Sequence, residues 1–207
     1  MPWSYFFNGY TVQSEPYYPS PAKVYLCGII SAMKKTIVTV VGTIIILNAA
    51  FIIYIYSGGY NVSQLSPHSA ITKWAINTAK EKSINKQIRN VKVPPMNDTS
   101  MLIEGFTHYN EMCATCHGGP GVSPDELTKG LYPAPPKFYK SHDMPEPAEA
   151  FWVIKNGIKF TAMPGFGPTH DDQKIWAITD FLLNKMNKMS PGEYQDWIMK
   201  YAGKDSD

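Results

Sequence analysis

Cys113, Cys116 and His117 stand together in the run Cys113-Ala114-Thr115-Cys116-His117, two thiols followed at once by an imidazole. Each thiol of such a run can add across a vinyl group of a porphyrin, and the neighbouring imidazole is then held beneath the iron. This C-x-x-C-H spacing is the attachment pattern of a c-type haem. Two other chemistries use paired cysteines. A zinc site needs a second Cys pair or a His pair, and neither completes one here. A thioredoxin-like dithiol sits in a βαβ pattern, which does not surround this motif. The residues therefore imply one covalently bound haem c with its iron, held through Cys113, Cys116 and His117.

The iron needs a further ligand or an open position, and that choice separates electron transfer from small-molecule chemistry. Met163 is the candidate. It lies in Gly157-Ile158-Lys159-Phe160-Thr161-Ala162-Met163-Pro164-Gly165, an irregular segment in which a thioether can point inward without interrupting a helix. A gap-filling core Met is the commoner use of that residue type. Met144 also precedes a Pro, but it follows the polar run Ser141-His142-Asp143 and lacks apolar surroundings. A second imidazole from His108, His142 or His170 is the remaining option, and these three read as surface or capping residues. A neutral thioether favours ferrous iron and raises the potential.

Helices must present these groups. Asp98-Thr99-Ser100 supplies capping chemistry for a helix from about Met101 to Cys113 that delivers the motif. The following Gly118-Gly119-Pro120-Gly121 and Leu131-Tyr132-Pro133-Ala134-Pro135-Pro136 cannot form regular helix and must wrap as irregular backbone, for which haem is a suitable template. A second helix is expected from Pro147 to Gly157 and a third after Thr169, with Asp171 and Asp172 in its first turn. No strand pattern appears, and the fold class is all-α.

The rest of the chain is of a different character. Thr36 to Tyr56 carries no charge and, at about 1.5 Å per residue, would span roughly 30 Å as a helix, the thickness of a hydrocarbon core. Its length exceeds the apolar region of a cleaved signal peptide, so an uncleaved anchor is expected. Lys34 and Lys35 abut its N-terminal end, whereas the next basic residue beyond it is Lys73. The N-terminus is thus expected in the cytoplasm and everything after Ser57 on the periplasmic side of the inner membrane. Residues 1–35 form the expected cytoplasmic tail. Alternatively, Met33-Lys34-Lys35 resembles an ordinary start, which would make the preceding residues a mis-assigned extension. Cys27 is given no role.

Residues 58–97 read as a linker and a basic helix from Ser69 to about Asn90, suited to an anionic membrane surface, an acidic partner or a plain solvated spacer. Residues 98–190 are expected to form the haem domain and residues 191–207 a C-terminal tail. The net charge of +2 conceals an asymmetry. Residues 58–97 hold six Lys or Arg against one acid, and residues 98–207 hold ten against fifteen. An acidic domain without a binding motif argues against nucleic acid as a partner.

Residues 98 to about 188 resemble the class I cytochrome c family, and the longer string from Ser66 through Phe151-Trp152-Val153-Ile154-Lys155-Asn156-Gly157 to Met163-Pro164 resembles membrane-anchored bacterial monohaem cytochromes. The resemblance implies a small helical domain wrapped around a covalent haem, preceded here by one transmembrane helix and a juxtamembrane helix. It implies that Gly105 and Phe106 cross Phe181 of the final helix, with Trp176 nearby, and that a Pro carbonyl orients His117; Pro133 and Pro135 are the candidates. It also implies maturation outside the energised membrane.

The expected function is electron carriage, not catalysis, between partners such as a terminal oxidase or a dehydrogenase. A fixed haem subunit of a respiratory complex is the alternative. A haem enzyme or gas sensor with an open sixth position is a third.

Overall fold

A computed structural model describes residues 20–203. Most of the expected N-terminal tail, residues 1–19, and the last four residues lie outside the described residues. The chain divides into two compact units, Met1–Asn61 and Val62–Asp207.

The described part of the first unit is dominated by one helix, α1 (Pro21–Tyr56), of 36 residues. Pro21 opens it, its fixed φ and missing N–H suiting the first turn. The apolar run Thr36–Tyr56 is its C-terminal portion. The helix also continues back through Lys34 and Lys35 to Pro21, across residues that lack helical periodicity. None of its residues is buried. Its uncharged portion, Thr36–Tyr56, makes the helix long enough and apolar enough to cross a membrane.

The second unit is helical, with no strand among the described residues and one isolated bridge between Gly119 and Val122. Helix α2 (Ala70–Gln87) starts at Ser69, whose Oγ accepts from Thr72 N at 3.2 Å, and ends in a 3-10 turn, Ile88–Asn90. It packs against α5 (Pro147–Asn156) and buries Ile84. Helix α3 (Thr99–His108) is capped by Asp98, whose carboxylate accepts from the backbone N–H groups of Ser100 and Met101. The Ser100 side chain and those backbone donors hold the Asp98 carboxyl below the usual range.

Helix α3 does not continue regularly to Cys113 as its sequence predicts. It widens into a π-turn, Tyr109–Cys113, before the short α4 (Ala114–His117). Such wide turns shift the angular register of the residues beyond them and are frequent at functional sites.

Helix α6 (Asp172–Asn184) is the centre of the domain. Asp171 caps it by accepting from Lys174 N at 2.9 Å, and eight of its residues, Ile175 to Leu182, are buried. Helix α3 crosses α6 at Gly105, where an added Cβ would fall 1.9 Å from the carbonyl oxygen of Ala177. Only a glycine permits this approach. Beside the crossing, the rings of Phe106 and Phe181 meet edge to face with centroids 5.4 Å apart, the pairing expected at these positions. Trp176 stacks on Phe151 of α5 at 4.1 Å and 12°.

Asp180 is fully buried on α6 and anchors the entry to α3. One carboxylate oxygen accepts from Asn97 N at 2.7 Å and the other from Asn184 Nδ2 at 2.6 Å, while Asn97 adopts φ 77°.

The segment after Ser190 is not a tail. Pro191–Tyr201 forms α7, opened by Ser190, whose Oγ accepts from Glu193 N at 3.1 Å. Tyr194 is fully buried against Phe106 at 5.5 Å between ring centroids, and Trp197 meets the same ring at 5.3 Å. The domain therefore extends past residue 190. The apolar spacing Tyr194, Trp197, Ile198, Tyr201 is helical, and the burial it provides explains why the chain stays folded there.

Candidate haem site

The π-turn and α4 put Cys113, Cys116 and His117 on consecutive turns of one short helical segment. Cys113 is buried and Cys116 half-buried. Burial, with Cys116 beside it, pushes the Cys113 thiol up to about 12. That is the opposite of a redox dithiol or a zinc-binding thiolate, whose pKa is lowered by its surroundings. Among the described residues no group of three His, Cys, Asp or Glu side chains could hold a metal ion.

His117 is oriented by a backbone carbonyl. Its Nδ1 lies 2.8 Å from the oxygen of Pro136, and since a carbonyl only accepts, Nδ1 carries the proton. The other nitrogen, Nε2, is left as the bare lone pair that a metal requires. Burial also lowers the His117 pKa, favouring the neutral ring. Phe138 lies against the imidazole at 5.0 Å between centroids. The orienting Pro is thus neither Pro133 nor Pro135 but the next one, Pro136. The Pro-rich loop reaches the ring only after the bend at 132–133, which spacing alone does not reveal.

Two contacts hold the motif's far end. Tyr109 Oη donates to the carbonyl of Gly118 at 2.8 Å, strapping the π-turn to the end of α4. Burial raises the Tyr109 phenol far above its ordinary value, so this donor stays protonated. Behind it, the ring of Tyr194 would lie 2.5 Å from a Cβ on Gly119, so the glycine pair after the motif is where α7 closes over the site. This role of α7 was legible in principle: Ser190-Pro191-Gly192-Glu193 has the residue types of a capping box.

Met163 sits in a loop tied to the end of α5. Ile158 N donates to the Met163 carbonyl at 3.2 Å, Met163 N to Thr161 Oγ1 at 3.1 Å, and Thr161 Oγ1 to the Ile158 carbonyl at 2.8 Å. Beyond it, Phe166 N and Gly167 N donate to the carbonyls of Ile154 and Lys155. Lys155 and Asp172 form an ion pair of 2.5 Å across the loop's two ends. Met163 is half-buried and packs against the core cluster that contains Cys113, and so does Met144. Met144 therefore does not lack apolar surroundings. What distinguishes Met163 is the hydrogen-bonded loop that fixes its backbone.

The three other histidines considered as ligands, His108, His142 and His170, lie apart in character. His142 is exposed. His108 and His170 face each other edge on at 5.3 Å, with His108 Nε2 buried and lacking a hydrogen-bond partner among the described residues. His108 is consequently not the surface residue its sequence position suggests.

A helical domain crossed at Gly105, with two thiols and a carbonyl-oriented imidazole on one segment, defines a class I c-type cytochrome domain. Its cofactor is covalently bound haem c with iron, and the donor set at Cys113, Cys116 and His117 fits that group. Residues 100–182 match the family described as cytochrome C oxidase, cbb3-type, subunit III. No curated protein matches the chain. The class is that of haem-containing electron carriers, and one helix of this chain is able to anchor it in a membrane.

Proposed function

We propose that this protein is a membrane-anchored monohaem cytochrome that passes single electrons between redox partners on the periplasmic side of the inner membrane, and that His117 and Met163 are the residues that would ligate its iron. The observation that carries the reading is the hydrogen bond from His117 Nδ1 to the Pro136 carbonyl, which dedicates Nε2 to the iron. Haem c supplies a one-electron couple at its iron. Cys113 and Cys116 retain the group as thioethers. The Pro136 carbonyl keeps the imidazole in one tautomer and one orientation, and the hydrogen bonds that tie the 157–167 loop to the end of α5 support Met163 as the second ligand. The ring cluster of Phe106, Phe181, Tyr194 and Trp197 excludes water from behind the motif. Lys34 and Lys35 support a cytoplasmic N-terminus.

Optical spectra of the detergent-solubilised protein with and without carbon monoxide test the ligand set. The wild-type ferrous spectrum should be insensitive to the gas. Met163→Ala should become sensitive and show a lowered midpoint potential, because a neutral thioether stabilises ferrous iron. A Met163→Ala protein that still ignores carbon monoxide removes Met163 from the iron, and Met144→Ala is then the informative variant.

The matched family's description favours a second reading, a fixed haem subunit of an oxidase complex. Co-purification in mild detergent separates the two: a free carrier leaves the membrane alone, a subunit leaves it with stoichiometric partners.

A further inference from the structure

We propose that the outward face of α2 rests on an anionic bilayer surface, so that the haem domain is held against the membrane and is not merely tethered to it. The inference rests on the reading of α1 as an anchor.

The face is defined by α2 itself. At about 100° per residue, Trp74, Ile71, Lys82, Ala75 and Lys86 fall within an arc of roughly 120°. All five are exposed, Ile71 by 79% and Trp74 by 68%. Ile84, which α2 buries on the haem domain, lies well outside that arc. The helix thus has two apolar sites on different sides. One is covered by protein and the other is not.

The occupant follows from the residue types and from where they occur. A Trp and an Ile on adjacent turns, followed along the same face by two lysines, match the layered chemistry of a bilayer interface: acyl boundary first, anionic headgroups next. Trp prefers this position because its ring is apolar and its N–H is polar. Around the face, residues 58–97 carry six basic residues and a single acid, the complement of an anionic leaflet. The segment is also continuous in sequence with the candidate span, since only residues 57–69 separate Tyr56 from Ala70. Val62 and Leu65 in that stretch are exposed by 88% and 83%.

Membrane contact by α2 would orient the haem, because α2 is fastened to the haem domain near both ends. His68, just before the helix, meets Tyr132 of the Pro-rich loop at 5.4 Å, and Ile84 is buried near the other end. Without the contact, 13 linker residues could extend to roughly 45 Å and leave the domain free to drift.

The test uses the full holoprotein with Cys27→Ser, in which Cys113 and Cys116 are consumed by haem. A nitroxide is placed at Ala75→Cys on the outward face or at Ser83→Cys, about 80° further round the helix and outside that arc. Each protein is reconstituted in phosphatidylcholine/phosphatidylglycerol vesicles, and collision with an aqueous nickel chelate and with oxygen is measured. The Ala75 label should lose nickel access severalfold relative to the Ser83 label and gain oxygen access. Adding Ile71→Ser and Trp74→Ser should restore nickel access at Ala75. Pure phosphatidylcholine should weaken the protection, and equal protection in both lipids would overturn the anionic part of the proposal. Equal nickel access at Ala75 and Ser83 overturns the whole, as does protection that arises only when an acidic redox protein is added. Alkaline washing of the same vesicles decides the anchor separately. Protein that stays with the lipid while its Ala75 label remains in water keeps α1 as an anchor and removes only the interfacial face.

Discussion

Gly105 is the residue at which two opposing effects can be weighed. Alanine is a better helix former than glycine by about 1 kcal/mol. Its methyl group, however, would fall 1.9 Å from the Ala177 carbonyl oxygen, and a backbone atom of α6 cannot rotate aside as a flexible side chain would. Overpacking of this kind costs about 1–3 kcal/mol and sometimes more, so the crossing should outweigh the propensity. Gly105→Ala is expected to lower the midpoint of chemical denaturation of the holoprotein by the equivalent of roughly 2 kcal/mol or more. A gain in stability would mean that α3 and α6 can separate without loss. The thiols and the imidazole of the site were legible at this scale because their spacing is itself the chemistry. Pro136 was not, since three prolines in one loop offer equivalent carbonyls and only the path of the chain selects among them. The two methionines illustrate the same limit: a local polar run did not keep Met144 from packing against the core cluster, most of whose members come from elsewhere in the chain.

Between elements, α7 makes the sharpest expectation. Tyr194 is fully buried between Phe106 and Gly119, yet its hydroxyl has no hydrogen-bond partner among the described residues. Removing the ring should cost about 3–5 kcal/mol, the range for a large buried aromatic. Removing the hydroxyl alone should be neutral or stabilising by up to about 1 kcal/mol, because an unpaired buried polar group is a liability. Thermal melts of Tyr194→Ala and Tyr194→Phe holoproteins check both halves, and a Tyr194→Phe protein as damaged as Tyr194→Ala would reveal a partner for the hydroxyl.

The contact between α3 and the approach to α6 carries a pH dependence. Burial, then the proximity of His170, lowers the His108 pKa from its ordinary 6.5; Lys174 adds to the effect, and Glu104 and Glu111 oppose it. The unfolded chain therefore takes up the proton first as pH falls. Stability contributed by neutral His108 is fully present above about pH 6.5 and is lost below it. Denaturation measured between about pH 7 and 5 should show a downward slope that His108→Leu flattens, and an unchanged slope would assign it to other groups. Helices α2, α3, α5 and α6 were legible from caps, prolines and periodicity. The π-turn was not, since a widened turn leaves no mark in residue spacing, and α7 follows α6 as a short segment whose apolar periodicity and capping residues are its only marks in the sequence.

At the scale of the molecule, the two units differ in what stabilises them. The first has no buried side chain in its helix, so no apolar core stands behind it, and a bilayer is the surrounding its length and composition suit. The second holds a contiguous core whose members run from Val91 to Tyr201, all beyond the boundary at Asn61. A fragment of residues 62–207, exported behind a cleavable leader, should therefore mature with covalent haem, remain soluble without detergent and reproduce the reduced spectrum of the full chain. Size-exclusion chromatography and optical spectra check this. Haem loss or aggregation would mean that the haem domain depends on α1 for more than attachment. The same fragment has no formal net charge, since the six basic residues and one acid of residues 62–97 offset the ten basic and fifteen acidic residues of 98–207, so electron transfer should slow as ionic strength rises only for a basic partner that meets the acidic residues of 98–207 directly. A rate indifferent to salt would place the encounter on uncharged surface, and a rate that rises with salt would point to an acidic partner approaching the acidic domain.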